Sequence, residues 1–382
     1  MPKKILVVDD SALMRRVLSD IINKDEEFHT EHSAMDGLEA LKLMEQNDFD
    51  AIVLDIIMPR MNGIDFLKEV NERGYTAKII IVSTIARKGA GETIEALELG
   101  AFDFVTKPGN LREAKSGEFA AKVLSRLYLA MGMEWNNILS GEIEAPEQVL
   151  RRMRRSDVEV IQEHSERLET TEYKPEKRLP YSSVVNVNAS GKLVALACST
   201  GGPKALQQVI PKLPENLDAA VVLVQHMPVG FTASLSARLD EMSEIRVREA
   251  QDGEVLQKGT VYIAKGGSQM RVIEKNRHEF VLSVREEGAR NGLKPCADIL
   301  YESLRESSFE DITCVIMTGM GADGTKGILQ LKETNKIYVI AQNAESSTVY
   351  GMPKAIAESG AADEIKDLDL IADAIIKHVG VR

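Results

Sequence analysis

Cysteine is scarce in this 382-residue chain. Cys198, Cys296 and Cys314 are too few and too scattered for a disulfide framework or a zinc site, and they read as reduced, small hydrophobes. No apolar run approaches the roughly 18 to 20 residues of a membrane span, and MPKKILVVDD enters a strand-like run directly, unlike a signal peptide. No direct membrane insertion and a cytoplasmic location are therefore expected. An excess of basic charge is missing too: 47 Lys and Arg against 59 Asp and Glu give a net charge of −12. That balance disfavours nonspecific binding to nucleic acid or to an anionic membrane surface. No helix-turn-helix pattern or basic recognition helix stands out either, so no nucleic-acid partner is expected.

What is present is α/β alternation. The length exceeds the roughly 250 to 300 residues at which one hydrophobic core stops growing, so two domains are expected. Over the first 118 residues, β-branched runs (KILVVD, DAIVLD, KIIIVST, DFVTKP) alternate with amphipathic stretches, the pattern of a parallel sheet covered on both faces. This part carries 15 basic and 22 acidic side chains, more than half of the net negative charge. Residues 119–185 read as a helical and charged linker: from Glu147 to Arg178 there are 8 basic and 8 acidic residues and few large apolar ones. YKPEKRLPYSS marks the start of a second domain, 186–382. There LVALAC, AAVVLVQ, TCVIMTG and IYVIAQN read as buried parallel strands. IRVREA, GTVYIAK, MRVIEK and EFVLSVRE alternate like hairpin strands, an antiparallel insertion or edge.

In an open α/β sheet, ligands collect outside the carboxyl ends of the strands. Asp9 and Asp10 end the first strand of this sequence and Asp55 ends DAIVLD. Three carboxylates at one edge repel unless a cation lies among them, and Mg²⁺ suits them because it takes oxygen ligands and leaves positions for phosphate oxygens. Ser83 and Lys107 add a hydroxyl and an ammonium at the same edge. Together they make a site for forming and holding an aspartyl phosphate.

In the second domain ALACSTGGPKAL places Ser199 at the end of a strand, with GGP turning the chain into a helix. A serine there is either a helix cap or a nucleophile whose oxyanion meets backbone N–H groups. Of the six histidines only His226 directly follows an apolar strand and precedes a Pro-Gly turn. Asp323 lies in the glycine-rich loop MGADGTKG after TCVIMTG. The three permit a triad in which His226 takes the serine proton and Asp323 holds the imidazole. Gly319, Gly321 and Gly324 also spell GxGxxG. Asp323 would put negative charge where a pyrophosphate should sit, so the loop reads better as a carboxylate holder.

LVVDDS, LDIIMPRMNG, IVST and FVTKP, in that order, resemble the response-regulator receiver domain, a flavodoxin-like doubly wound parallel sheet. The resemblance implies Asp55 as phosphoacceptor, Asp9, Asp10 and Asp55 as magnesium ligands, and Ser83 as switch hydroxyl. It also implies Lys107 as phosphate-binding ammonium and Phe104 as switch aromatic. ACSTGGP, VQHMPVGFT, TGMGADG and AQNAESSTVYGMPKAI resemble the catalytic domain of the chemotaxis receptor methylesterases, the CheB-type family. That resemblance implies Ser199 as nucleophile, His226 as general base and Asp323 as orienter, with Thr200 and the Met320 backbone N–H near the oxyanion. It implies phosphorylation-activated hydrolysis of γ-glutamyl methyl esters, and deamidation of glutamines, on the cytoplasmic helices of methylated chemoreceptors. A chemotaxis histidine kinase would be the phosphodonor, and the esterase itself would need no cofactor. In NGLKPCAD, Asn291, Pro295 and Asp298 follow the family pattern, but Gly292 and Leu293 stand where an Arg-His pair is common. That departure keeps open a receiver joined to a docking module.

Overall fold

The computed structural model describes residues 1–84, 87–133, 191–276 and 279–382. They form two compact units, residues 1–84 with 104–133 and residues 87–103 with 191–382. In chain order the first part of the sequence contributes β1 (Lys3–Val8), α1 (Ala12–Ile22), β2 (Phe28–His29), β3 (Ser33–Ala34), α2 (Gly37–Met44), β4 (Ala51–Asp55), α3 (Gly63–Glu72) and β5 (Lys78–Ser83). Then follow α4 (Arg87–Glu98), β6 (Asp103–Thr106), α5 (Leu111–Ala114) and α6 (Gly117–Ala130).

The first sheet has the order β2-β1-β4-β5-β6, with β3 also on β1. Ile5 to Val8 and Ala51 to Leu54 are fully buried, as continuous apolar runs are in a parallel sheet covered on both faces. Polar caps start the helices: Ser11, Asp36 and Asn62 accept the backbone N–H groups of Met14, Glu39 and Asp65. Residue 118, the expected end of this domain, lies in the first turn of α6. Phe119, Val123, Leu124 and Leu127 on that helix are buried, and the Tyr128 hydroxyl donates to Asp25 at 3.0 Å. The charged segment 147–178 lies outside the described residues.

The second sheet is built from β7 (Lys192–Cys198), β8 (Ala220–Gln225), β9 (Arg246–Glu249), β10 (Thr260–Ile263), β13 (Asp311–Ile316), β14 (Ile337–Gln342) and β15 (Glu364–Lys366), while β11 (Gln269–Asn276) and β12 (Glu279–Arg285) pair separately. Its order is β15-β14-β13-β7-β8-β10-β9, and the pairings are parallel. IRVREA and GTVYIAK therefore differ from the expected hairpin strands. All four residues of β10 are buried, and the strand lies between β8 and β9 within the parallel sheet. MRVIEK and EFVLSVRE do form an antiparallel pair. The helices are α7 (Gly202–Val209), α8 (Phe231–Met242), α9 (Ala297–Glu302), α10 (Thr325–Lys332), α11 (Met352–Glu358) and α12 (Leu368–Val379). One core face gathers Ala195, Val222, Tyr262, Leu282, Tyr301 and Cys314.

Candidate phosphate site and candidate active site

At the carboxyl edge of the first sheet, Lys107 Nζ lies 2.6 Å from Asp55 Oδ2 and 2.8 Å from Asp9 Oδ2. Asp9, Asp55 and Ser83 are buried and Asp10 is exposed. Burial pushes the Asp55 carboxyl up to about 7 against the attraction of Lys107, and the Asp9 charge adds to the rise. One ligand oxygen from each of Asp9, Asp10 and Asp55 lies within 4.8 Å of the others. Asp9 Oδ2 is buried and has the Lys107 ammonium as its partner. Three carboxylates this close together, two of them sharing one ammonium, fit a hard divalent cation. Phe104 is buried on β6.

In the second unit Ser199, His226 and Asp323 follow β7, β8 and β13, three adjacent strands. The Ser199 N–H donates to Thr318 O at 2.9 Å, and the Gly202 N–H closes the turn on Ser199 O at 2.8 Å. Glycine is required at 202, because a Cβ there would lie 1.9 Å from Gln225 Oε1. It is required again at Gly319, where a Cβ would come within 2.8 Å of the Ser199 Cβ. The loop bearing Met320 and Asp323 thus starts against the serine. The Met320 N–H has no hydrogen-bond partner among the described residues, and its side chain is exposed.

His226 Nε2 lies 2.8 Å from Asp323 Oδ2, which leaves Nδ1 as the basic nitrogen. Among the described residues no hydrogen bond joins Ser199 Oγ to the imidazole. Desolvation would raise the Asp323 carboxyl, but the His226 hydrogen bond and charge and the Ala297 and Asp298 amides overrule it and hold the group at about 2. The Thr200 hydroxyl, placed near the oxyanion by expectation, donates to Asp103 at 2.7 Å. Glu98 accepts from Gln207 at 2.8 Å and from Arg238 at 2.8 and 3.0 Å. A cleft of about 250 Å³ beside the serine turn is lined by Gly201, Lys204, Thr318, Ser346, Thr348 and Asp367.

Sequence reasoning missed Gln225. It is 2% exposed, and its amide donates to Ser199 O at 3.0 Å and His226 O at 3.3 Å while its oxygen accepts from Cys198 Sγ at 3.0 Å. A polar residue closing an otherwise apolar strand, next to His226, was the available signal. The departure at Gly292 and Leu293 is a tight turn. Asn291 and Gly292 have φ of 52° and 77°, and Arg290 and Leu293 exchange backbone hydrogen bonds.

These two sheets define a class: a receiver-type α/β domain joined in one chain to a serine-bearing parallel α/β domain. Residues 5–116 match the response regulator receiver domain and residues 194–375 match the CheB methylesterase. The protein-glutamate methylesterase/protein-glutamine glutaminase of Bacillus subtilis is 40% identical over 378 residues, covering 98% of each chain. The protein of that name from Pyrococcus horikoshii is 35% identical, covering 99% of this chain and 94% of its own. The solved CheB methylesterase catalytic domain of Thermotoga maritima is 40% identical, covering 50% of this chain and all of its own, at a TM-score of 0.48. The chain belongs to the CheB-type protein-glutamate methylesterase/protein-glutamine glutaminase family.

Proposed function

We propose that the protein hydrolyses glutamate γ-methyl esters, and deamidates glutamines, on the cytoplasmic helices of chemoreceptors, with Ser199, His226 and Asp323 as the reacting set and phosphorylation of Asp55 as the activating event. The carrying observation is the 2.8 Å contact of His226 Nε2 with a carboxylate held ionised. With its proton fixed on Nε2, the imidazole presents Nδ1 as a base. Closing the gap to Ser199 on substrate binding would let Nδ1 take the Oγ proton as Oγ attacks the γ-carbonyl. The Met320 N–H, without a partner among the described residues, is a donor for the oxyanion that forms. His226 then returns the proton to the leaving methanol, or to ammonia from a glutamine. A water activated in the same way releases the glutamate carboxylate and restores Ser199.

Asp9, Asp10 and Asp55 would hold Mg²⁺, whose charge offsets that of an incoming phosphoryl group. Lys107 neutralises the same edge, and Ser83 offers a hydroxyl to a phosphate on Asp55. Regulation is supported by residues 87–103. In sequence they belong to the receiver match, yet Asp103 occupies the Thr200 hydroxyl next to Ser199, and Glu98 pins Gln207 and Arg238. A receiver change that withdraws Asp103 and Glu98 would free Thr200 for substrate. The test is methanol release from methylated receptor membranes by wild type and Ser199→Ala, each with and without a phosphodonor and Mg²⁺. Stimulated release that vanishes in the variant is expected. Equal release by the two proteins would remove Ser199 from the chemistry.

A further inference from the structure

The carboxylate of Asp323 has four donors. Oδ1 accepts from Cys296 Sγ at 3.1 Å and from the Asp298 N–H at 3.1 Å, while Oδ2 faces the Ala297 N–H at 2.6 Å and His226 Nε2 at 2.8 Å. Three of the four come from consecutive residues at the start of α9. The grip also runs the other way. Asp298 Oδ1 accepts the N–H of Gly324 at 3.0 Å and of Gly327 at 2.7 Å, on the loop and helix that follow Asp323. The helix is in turn seated on the sheet through Tyr301, whose hydroxyl lies 3.2 Å from both Ala195 O and Val315 O, on the strands that lead to Ser199 and to the Asp323 loop.

We propose that Cys296 and Asp298 are positioning residues for Asp323: the Asp298 carboxylate ties the Asp323 loop to α9, and the Cys296 thiol completes the donor set that aims Asp323 at His226. The inference rests on reading Ser199, His226 and Asp323 as the reacting set. Each donor removed widens the range through which a carboxylate can turn about its side-chain bonds, and the full set on both oxygens holds one orientation. Cys296 stays a thiol, and so a donor, because burial and the neighbouring Asp323 charge push it up to about 12. The other titratable groups acting on Asp323 are His226, Asp298 and Tyr301, and burial raises the last two.

The test measures kcat and KM for methanol release against pH in the full chain, with phosphodonor and Mg²⁺ present, for Cys296→Ala, Cys296→Ser, Asp298→Ala, Asp298→Asn and Asp323→Asn. Cys296→Ala and Asp298→Ala should lower kcat by roughly 10- to 100-fold with KM within about twofold, the scale of a misaimed catalytic group. Cys296→Ala, which deletes a donor to Oδ1, should also move the acid limb of kcat/KM to higher pH, because a carboxylate with fewer donors holds an imidazolium more strongly. Cys296→Ser and Asp298→Asn, which keep a donor and an acceptor, should stay within about threefold of wild type. Unchanged kcat in both alanine variants and an unmoved acid limb in Cys296→Ala, with Asp323→Asn inactive, overturns the proposal while leaving the triad intact. A fully active Asp323→Asn removes the triad reading and this inference with it. If Asp298→Ala does not fold, Cys296→Ala decides.

Discussion

Replacing Gln225 with Leu should separate positioning from bulk at the junction of β7 and β8. The two side chains are of similar size, so the change deletes hydrogen bonds without opening a large cavity. Lost are the donations to Ser199 O at 3.0 Å and His226 O at 3.3 Å and the acceptance from Cys198 Sγ. Ser199 O keeps the Gly202 N–H at 2.8 Å, so its share of the loss is partly covered. At about 1 kcal/mol for each amide bond, the variant should be about 2 kcal/mol less stable, which lowers Tm by roughly 4 to 8 °C in a unit of this size. The effect on turnover should be larger than that on stability, because the amide ties the peptide carrying the nucleophile to the peptide carrying the imidazole. A shift of about 1 Å between reacting groups costs on the order of 100-fold. The assay is methanol release at saturating methylated receptor, alongside thermal unfolding of the same preparations. Gln225→Glu should be worse on both measures, since a carboxylate cannot donate to two carbonyl oxygens. A Gln225→Leu enzyme with the expected Tm loss and a kcat within about threefold of wild type would refute the positioning role.

Two further predictions concern the same unit. Held at about 2 against an ordinary 3.8, Asp323 has a folded-state value below its unfolded one. It therefore contributes roughly 2 kcal/mol of stability above pH 3.8 that is lost as pH falls through 2. The stability gap between wild type and Asp323→Asn in denaturant titrations should hold from about pH 7 to about pH 4.5 and close on further acidification, and a widening gap would contradict the assignment. Gly202→Ala should cost about 1 to 3 kcal/mol, because its Cβ falls 1.9 Å from Gln225 Oε1, whereas Gly288→Ala, with nothing within 4 Å, should be near neutral by thermal unfolding.

Much of the architecture was legible because strands buried on both faces announce themselves as unbroken apolar runs. LVALAC, AAVVLVQ and TCVIMTG form the adjacent parallel strands β7, β8 and β13 for that reason. GTVYIAK misled because its alternation of polar and apolar residues matched a half-exposed strand. Thr260 and Tyr262 are nonetheless buried, the tyrosine hydroxyl being satisfied locally by the Gln257 N–H at 3.0 Å. Polarity along a strand reports exposure only when its polar atoms lack a partner inside.

The candidate site divides along the same physical line. A parallel sheet brings the ends of neighbouring strands together at a spacing of about 4.8 Å. Adjacency of β13, β7 and β8 therefore brings the turns bearing Asp323, Ser199 and His226 to one edge of the sheet, although the chain meets them in the order Ser, His, Asp. Strand ends alone do not orient side chains, and here buried amides and a thiol supply orientation. Gln225 joins the Ser199 and His226 turns, Gln269 accepts the Cys296 N–H at 2.9 Å, and Gln342 accepts the Thr318 N–H at 2.8 Å, each glutamine at most 2% exposed. Each links segments that spacing along the chain cannot pair, which is why Cys296 read as a small hydrophobe and Gln225 as the last letter of a strand. Burial of an unpaired amide costs enough that a glutamine closing an apolar strand needs partners inside. The groups within reach of a strand's carboxyl end are the turns of its neighbours. A buried glutamine at that position in a parallel sheet is therefore itself evidence that the adjoining turns are held in a fixed relation.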